Sequence, residues 1–71
     1  MNYKIIKKIK FQDLKIGDDF VFETKNHPYY ISYKGSTAKN FQYTSHLNNR
    51  RYSVSEYGRT VNKKVNLILF L

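Results

Sequence analysis

Acid–base chemistry in this chain would have to come from His27, His46, Asp13, Asp18, Asp19, Glu23 and Glu56. There is no cysteine to supply a thiolate nucleophile, a disulfide or a soft metal site. General acid–base catalysis needs such groups gathered in a pocket that shifts their pKa values, and the spacing speaks against it. Asp18 and Asp19 are consecutive, so in a strand their carboxylates point to opposite faces. Turn and edge-charge roles account for both. His27 precedes Pro28 in a turn pattern and His46 sits in a polar run, and the two match no metal-ligand signature. A joint site of the two histidines with Glu56 would have to be assembled in space. No Ser or Thr lies in a nucleophile motif, and the three glycines are scattered, so no loop is built to cradle a phosphate. The expectation is a protein that is not an enzyme, with no cofactor and no metal.

The charge balance points elsewhere. Thirteen Lys and Arg stand against five Asp and Glu, a net charge of +8. Residues 1–23 carry only +1 of it, while residues 24–71 hold eight basic groups against Glu56 alone and net +7. A field of that sign attracts polyanions: nucleic acid, an acidic protein or an anionic surface. Seven Tyr and five Phe are interleaved with the cations. Proteins that bind single strands combine a basic groove with aromatic platforms for the bases. The candidate nucleic-acid-binding residues are Tyr30, Lys34, Lys39, Tyr43, Arg50, Arg51, Arg59, Lys63 and Lys64, with Arg50 and Arg51 offering paired donors to phosphate. The competing account is structural: tyrosine is a good strand former, and lysines protect edge strands from aggregation. Lys, Asn, Ile, Tyr and Phe also share AT-rich codons and make up 35 of the 71 residues, so coding bias feeds the same totals.

These residues must be held by short strands. The stretch Phe11–Glu23, FQDLKIGDDFVFE, organises the chain. Gly17 supplies the φ > 0 that a tight turn needs, and Phe20 and Phe22 then alternate with Val21 and Glu23 as in a half-buried strand. Before it, residues 3–11 read as a first strand, with an amphipathic helix as competitor, and Gln12–Leu14 as one helical turn directing Phe11 and Leu14 inward. After it, Lys25–Pro28 is a turn. Tyr29–Tyr33 is a strand with Tyr29, Ile31 and Tyr33 on one face. Lys34–Ser36 is a hairpin, and Thr37–Tyr43 a strand with a bulge near Asn40. Thr44–Asn49 is a loop, Arg50–Ser55 a strand with Tyr52 and Val54 inward, and Glu56–Arg59 a turn. Val61–Leu71 closes the chain; its apolar residues of both parities require cover on both faces, from the fold or from a partner. On this pattern Phe20, Phe22, Ile31, Phe41 and Val54 form the core, and Tyr30, Lys34, Lys39, Arg51 and Tyr43 lie opposite it.

Residues 1–71 make a single small all-β domain: a five- or six-stranded SH3-like barrel or a strongly bent antiparallel sheet. The pattern Phe11-x-Asp13-Leu14-x-Ile16-Gly17-Asp18-x-Phe20-x-Phe22, then Tyr30-Ile31, then Thr37–Phe41, resembles a loose group of short phage and bacterial β proteins that open with F-x-D-L-x-x-G-D-x-F. The likeness covers about residues 9–41. It implies a small β fold in a phage or mobile-element setting and carries no functional residues across. The function expected is binding of nucleic acid without strong sequence preference. The alternative is a protein-interaction module, either a virion or assembly component or a small inhibitor of a host protein, with Val65–Leu71 meeting a protein partner or a second copy. No run reads as a signal-peptide core, and Val65–Leu71 is too short to span a bilayer. The compartment expected is therefore the cytoplasm, that of the host cell, or the virion.

Overall fold

The chain reverses at Lys15–Asp18, and two hydrogen bonds fix how. The Asp18 amide donates to the Lys15 carbonyl at 2.9 Å, closing a four-residue turn. The Asp18 carboxylate accepts the Lys15 amide at 2.8 Å. Gly17 is the third residue of that turn and has φ +91°, the left-handed backbone that a type II turn demands there. The Gly17 amide then donates to Ile31, and the Ile31 amide to Asp18, at 2.8 and 3.1 Å. The turn is thus tied directly to the strand that carries Ile31.

The computed structural model describes residues 2–35, 40–55 and 58–71. They form strands β1 (Tyr3–Lys10), β2 (Asp19–Phe22), β3 (Tyr29–Lys34), β4 (Asn40–Ser45), β5 (Arg51–Ser55) and β6 (Lys64–Phe70). A 3-10 turn at Phe11–Asp13 follows β1, and a second at Arg59–Asn62 precedes β6. All six strands lie in one sheet of order β1-β6-β2-β3-β4-β5, and every pairing is antiparallel. The C-terminal strand returns to the interior of the sheet, between β1 and β2. This is what its composition requires: Val65 and Ile68 differ in parity, so they leave on opposite faces, and both are buried.

The core face of the sheet is filled by rings. Phe20 is wholly buried, with Tyr29, Ile31, Phe41 and Val65 around it on neighbouring strands. Phe11 and Leu14 from the first 3-10 turn and Val61 from the second complete the cluster. Phe11 meets Phe20 edge-on at 5.5 Å and Phe41 at 6.0 Å, the T-shaped geometry that adds to simple burial. The sheet bends around this cluster but does not close among the described residues, as expected of a small open barrel or strongly bent sheet. Among the described residues no helix is long and apolar enough to cross a membrane.

Several local expectations are corrected. Residues 3–10 are the strand expected there, but a bulge at Ile6 puts Ile5 opposite Ile68 and Ile9 opposite Val65. Ile5 and Ile9 therefore face opposite ways, and Ile5 is 56% exposed. A second bulge at Ser32 places Tyr33 opposite Gln42 and Lys34 opposite Phe41. This turns Tyr33 outward and brings Lys34 onto the core face. Val21, expected to alternate with the core, is itself only 2% exposed, because β2 is covered on both faces. Thr44 and Ser45, expected in a loop, end β4 and are buried. Val61 stands on a 3-10 turn rather than in the last strand. Ser36, Thr37, Ala38 and Lys39 of the expected hairpin and fourth strand, and Glu56–Tyr57 of the expected turn, lie outside the described residues.

Gly17→Ala should lower stability by about 1 kcal/mol or more. A Cβ there meets nothing within 4 Å, so the cost is backbone strain alone. Chemical denaturation checks it: a midpoint shift with unchanged m-value is the expected outcome.

Candidate nucleic-acid interface

Where β2 ends and β6 begins, the sheet leaves a groove of about 470 Å³. Its floor is aromatic: Phe22 is the last residue of β2, and Tyr43 lies in β4 on the core face, opposite Ile31 and Tyr52 in the ladders. Its rim is cationic: Lys25 comes from the turn after β2, and Lys63 and Lys64 come from the junction of the second 3-10 turn with β6. Glu23 also lines it, but its carboxylate lies 3.7 Å from Lys8 Nζ on β1. The Lys25 backbone is set by its own amide, which donates to Phe22 at 3.0 Å. Lys63 is held on both sides: its amide donates to Thr60 at 3.1 Å and its carbonyl accepts the Phe11 amide at 2.8 Å. Three lysines thus line a depression together with Phe22 and Tyr43, on backbone held by these hydrogen bonds.

The rings below the groove form an ordered set. Tyr43 is stacked on Tyr52 at 5.1 Å with only 18° between their planes. Phe22 and Tyr29 meet Tyr43 edge-on at 5.8 and 5.1 Å. Tyr29 in turn stacks on His27 at 4.8 Å. Burial pushes the Tyr29 and Tyr43 phenols above their ordinary 10.0, and the neighbouring tyrosines add to the shift.

The nine residues singled out from the sequence do not form one site. Tyr43, Lys63 and Lys64 line the groove, and Arg59 begins the second 3-10 turn beside it. Tyr30 and Arg51 lie on the other face of the sheet, the former opposite Asp19 and both opposite Thr44 in their ladders. Arg50 closes the β4–β5 turn with an exposed side chain, its carbonyl accepting the Ser45 amide. Lys34 is occupied internally: Nζ donates to the Gln12 and Leu14 carbonyls at 2.8 and 2.9 Å and lies 5.5 Å from the Phe41 ring centre. It caps the first 3-10 turn. Lys39 lies outside the described residues. Lys25, Phe22 and Tyr52 belong to the site or its support and were missed. The signal for Lys25 was its position right after the Phe20–Phe22 strand; Tyr52 had been placed inward.

The histidines hold the fold. His46 Nε2 donates to Asp19 Oδ1 at 2.7 Å, and its ring lies between Tyr30 and Phe70 at 4.8 and 4.9 Å. His27 Nε2 is 2.5 Å from Ser45 Oγ. That hydroxyl already accepts the Leu47 and Asn48 amides, so both lone pairs are used and its proton goes to His27. Ser45 is fully buried, and its hydroxyl caps the turn that follows β4. Among the described residues no group of His, Asp and Glu is placed to hold a metal. No protein-family model, curated protein or solved structure matches the chain.

Two measurements check this assignment of roles. Lys34→Met keeps the stem but removes the donor to two carbonyls, and should cost about 1–2 kcal/mol in a denaturant titration. The raised phenols give a pH signature. The folded chain holds these protons longer than the unfolded one, so the contribution of the two phenols to stability is fully present below about pH 10 and is lost as pH rises through the folded values. Melting temperatures taken through that range should fall together with the late-titrating tyrosine absorbance.

Proposed function

We propose that this protein binds nucleic acid without strong sequence preference, through the groove between the end of β2 and the start of β6. The observation that carries the reading is the meeting of Lys25, Lys63 and Lys64 around Phe22 and Tyr43. Ammonium groups neutralise phosphates and release condensed counterions. The groove's apolar lining offers contact to sugars between them. Among the described residues the site has no α-helix to enter a major groove and read base edges, and phosphate contacts carry no sequence information. The proposed activity is binding alone.

A second reading rests on β1. It is an edge strand eight residues long, and Ile5 and Ile6 on it are 56% and 51% exposed. A free edge with exposed apolar residues is a template for strand addition by a protein partner. The C-terminal segment offers less than its composition suggests: Val65 and Ile68 are buried, which leaves Leu69 and Leu71 exposed. Sedimentation of the free protein separates the two readings, a monomer leaving the groove as the main candidate.

The test of the first reading is a titration of labelled oligonucleotide at several salt concentrations. With about four phosphates neutralised on a single strand, log K should fall against log salt with a slope near −3. Lys63→Ala with Lys64→Ala should flatten that slope by about 1.4 and leave the thermal midpoint unchanged, because both side chains are exposed. No binding at low salt would remove the reading.

A further inference from the structure

Tyr43 lines the groove but has little ring surface to offer. One face is covered by Tyr52, stacked at 5.1 Å. Phe11, Phe20, Phe22 and Tyr29 crowd it at centroid distances of 5.7, 5.8, 5.8 and 5.1 Å. Tyr52 is different. It lies on β5, the outermost strand of the sheet, and is 37% exposed although it sits on the core face. Among the described residues its neighbours within ring contact are Tyr43 on one face and the edge of Tyr29 at 6.0 Å. Tyr52 is therefore the outer end of a two-ring column whose inner end lines the groove floor.

We infer that Tyr52 is the platform for an unpaired base, and that the groove's ligand is a single strand. This rests on the nucleic-acid reading above. A base laid on the outer face of Tyr52 extends the Tyr52–Tyr43 column by one ring, while its flanking phosphates follow the strand toward Lys25, Lys63 and Lys64. Stacking of this kind is available to any base, since each has a π-face, and is closed to a base already paired and stacked in a duplex. It fits a site without sequence readout. The edge position suits this: β5 has no strand beyond it, and among the described residues no ring besides Tyr43 and Tyr29 meets Tyr52, which is 37% exposed.

The test uses the full chain with a labelled oligodeoxythymidine of about 12 nucleotides, inside the range a small β fold covers, and a duplex of the same length, both at low salt. Tyr52→Leu should weaken single-strand binding by about fivefold or more and change duplex binding by less than about twofold. Tyr52→Trp should retain single-strand affinity, and its indole emission should be quenched on binding. Equal loss for single strand and duplex, no loss at all, or an unquenched Trp at saturation would overturn the inference and leave polyanion binding standing. Failure of the parent protein to bind either form would instead remove the nucleic-acid reading, and this inference with it. Should the Leu variant not fold, the quenching measurement on the Trp variant decides.

Discussion

Phe11 stands on a turn rather than a strand, and its ring is pushed into the open end of the bent sheet against Phe20, Phe41 and Tyr43. In a chain of 71 residues, which buries only about 60% of its unfolded surface, that insertion is close to the whole margin. A core of this size supplies about 3–5 kcal/mol net, and truncating one buried phenylalanine costs about the same. The chain contains no disulfide, so the ring has no covalent substitute. What holds it is polar: its own amide donates to Lys63, and the ammonium of Lys34 caps the two carbonyls that follow it.

The same contact shapes the groove. Phe11 belongs to the N-terminal part of the chain and Lys63 to the C-terminal part, and the 2.8 Å bond between their backbones fixes where the last strand starts. Lys63 and Lys64 are thereby set beside Phe22 and Tyr43 instead of on a free tail. The basic half of the sequence is not spread evenly over the surface. Lys34 is drawn inward, Arg51 is carried to the opposite face by its place in the β4–β5 ladder, and three lysines remain around the rings. The positive field that composition describes thus has a geometry that composition does not contain.

What the sequence made legible followed from local chemistry. Gly17 had to take positive φ, Phe20 had to be buried, Phe11 and Leu14 had to turn inward together, and the tail needed cover on both faces; each is seen. What was not legible came mostly from two bulges. The extra residues at Ile6 and Ser32 shift parity partway along β1 and β3, so reading by alternation put Tyr33 and Lys34 on the wrong faces. Tyr43 was assigned opposite the core although it shares parity with Phe41, and its pairing with Ile31 puts it on the core face. Thr44 and Ser45 looked like loop because they are polar. They are buried because their hydroxyls are satisfied: Thr44 donates to Ser32, and Ser45 caps its turn and donates to His27. The groove itself joins residues 22–25, 43, 60, 63 and 64, a meeting set by β6 entering between β1 and β2, which no periodicity encodes.

The central claim is that the polyanion site is this groove and not the basic surface at large. Mapping amide and lysine Nζ shifts by NMR during titration with a short single strand at low salt tests it most directly. The account predicts perturbations concentrated at Phe22, Lys25, Tyr43, Tyr52, Lys63 and Lys64, with Tyr30, His46 and Arg51 on the opposite face little affected. Shifts scattered over both faces in proportion to lysine and arginine exposure, or centred on Tyr30 and Arg51, would contradict it.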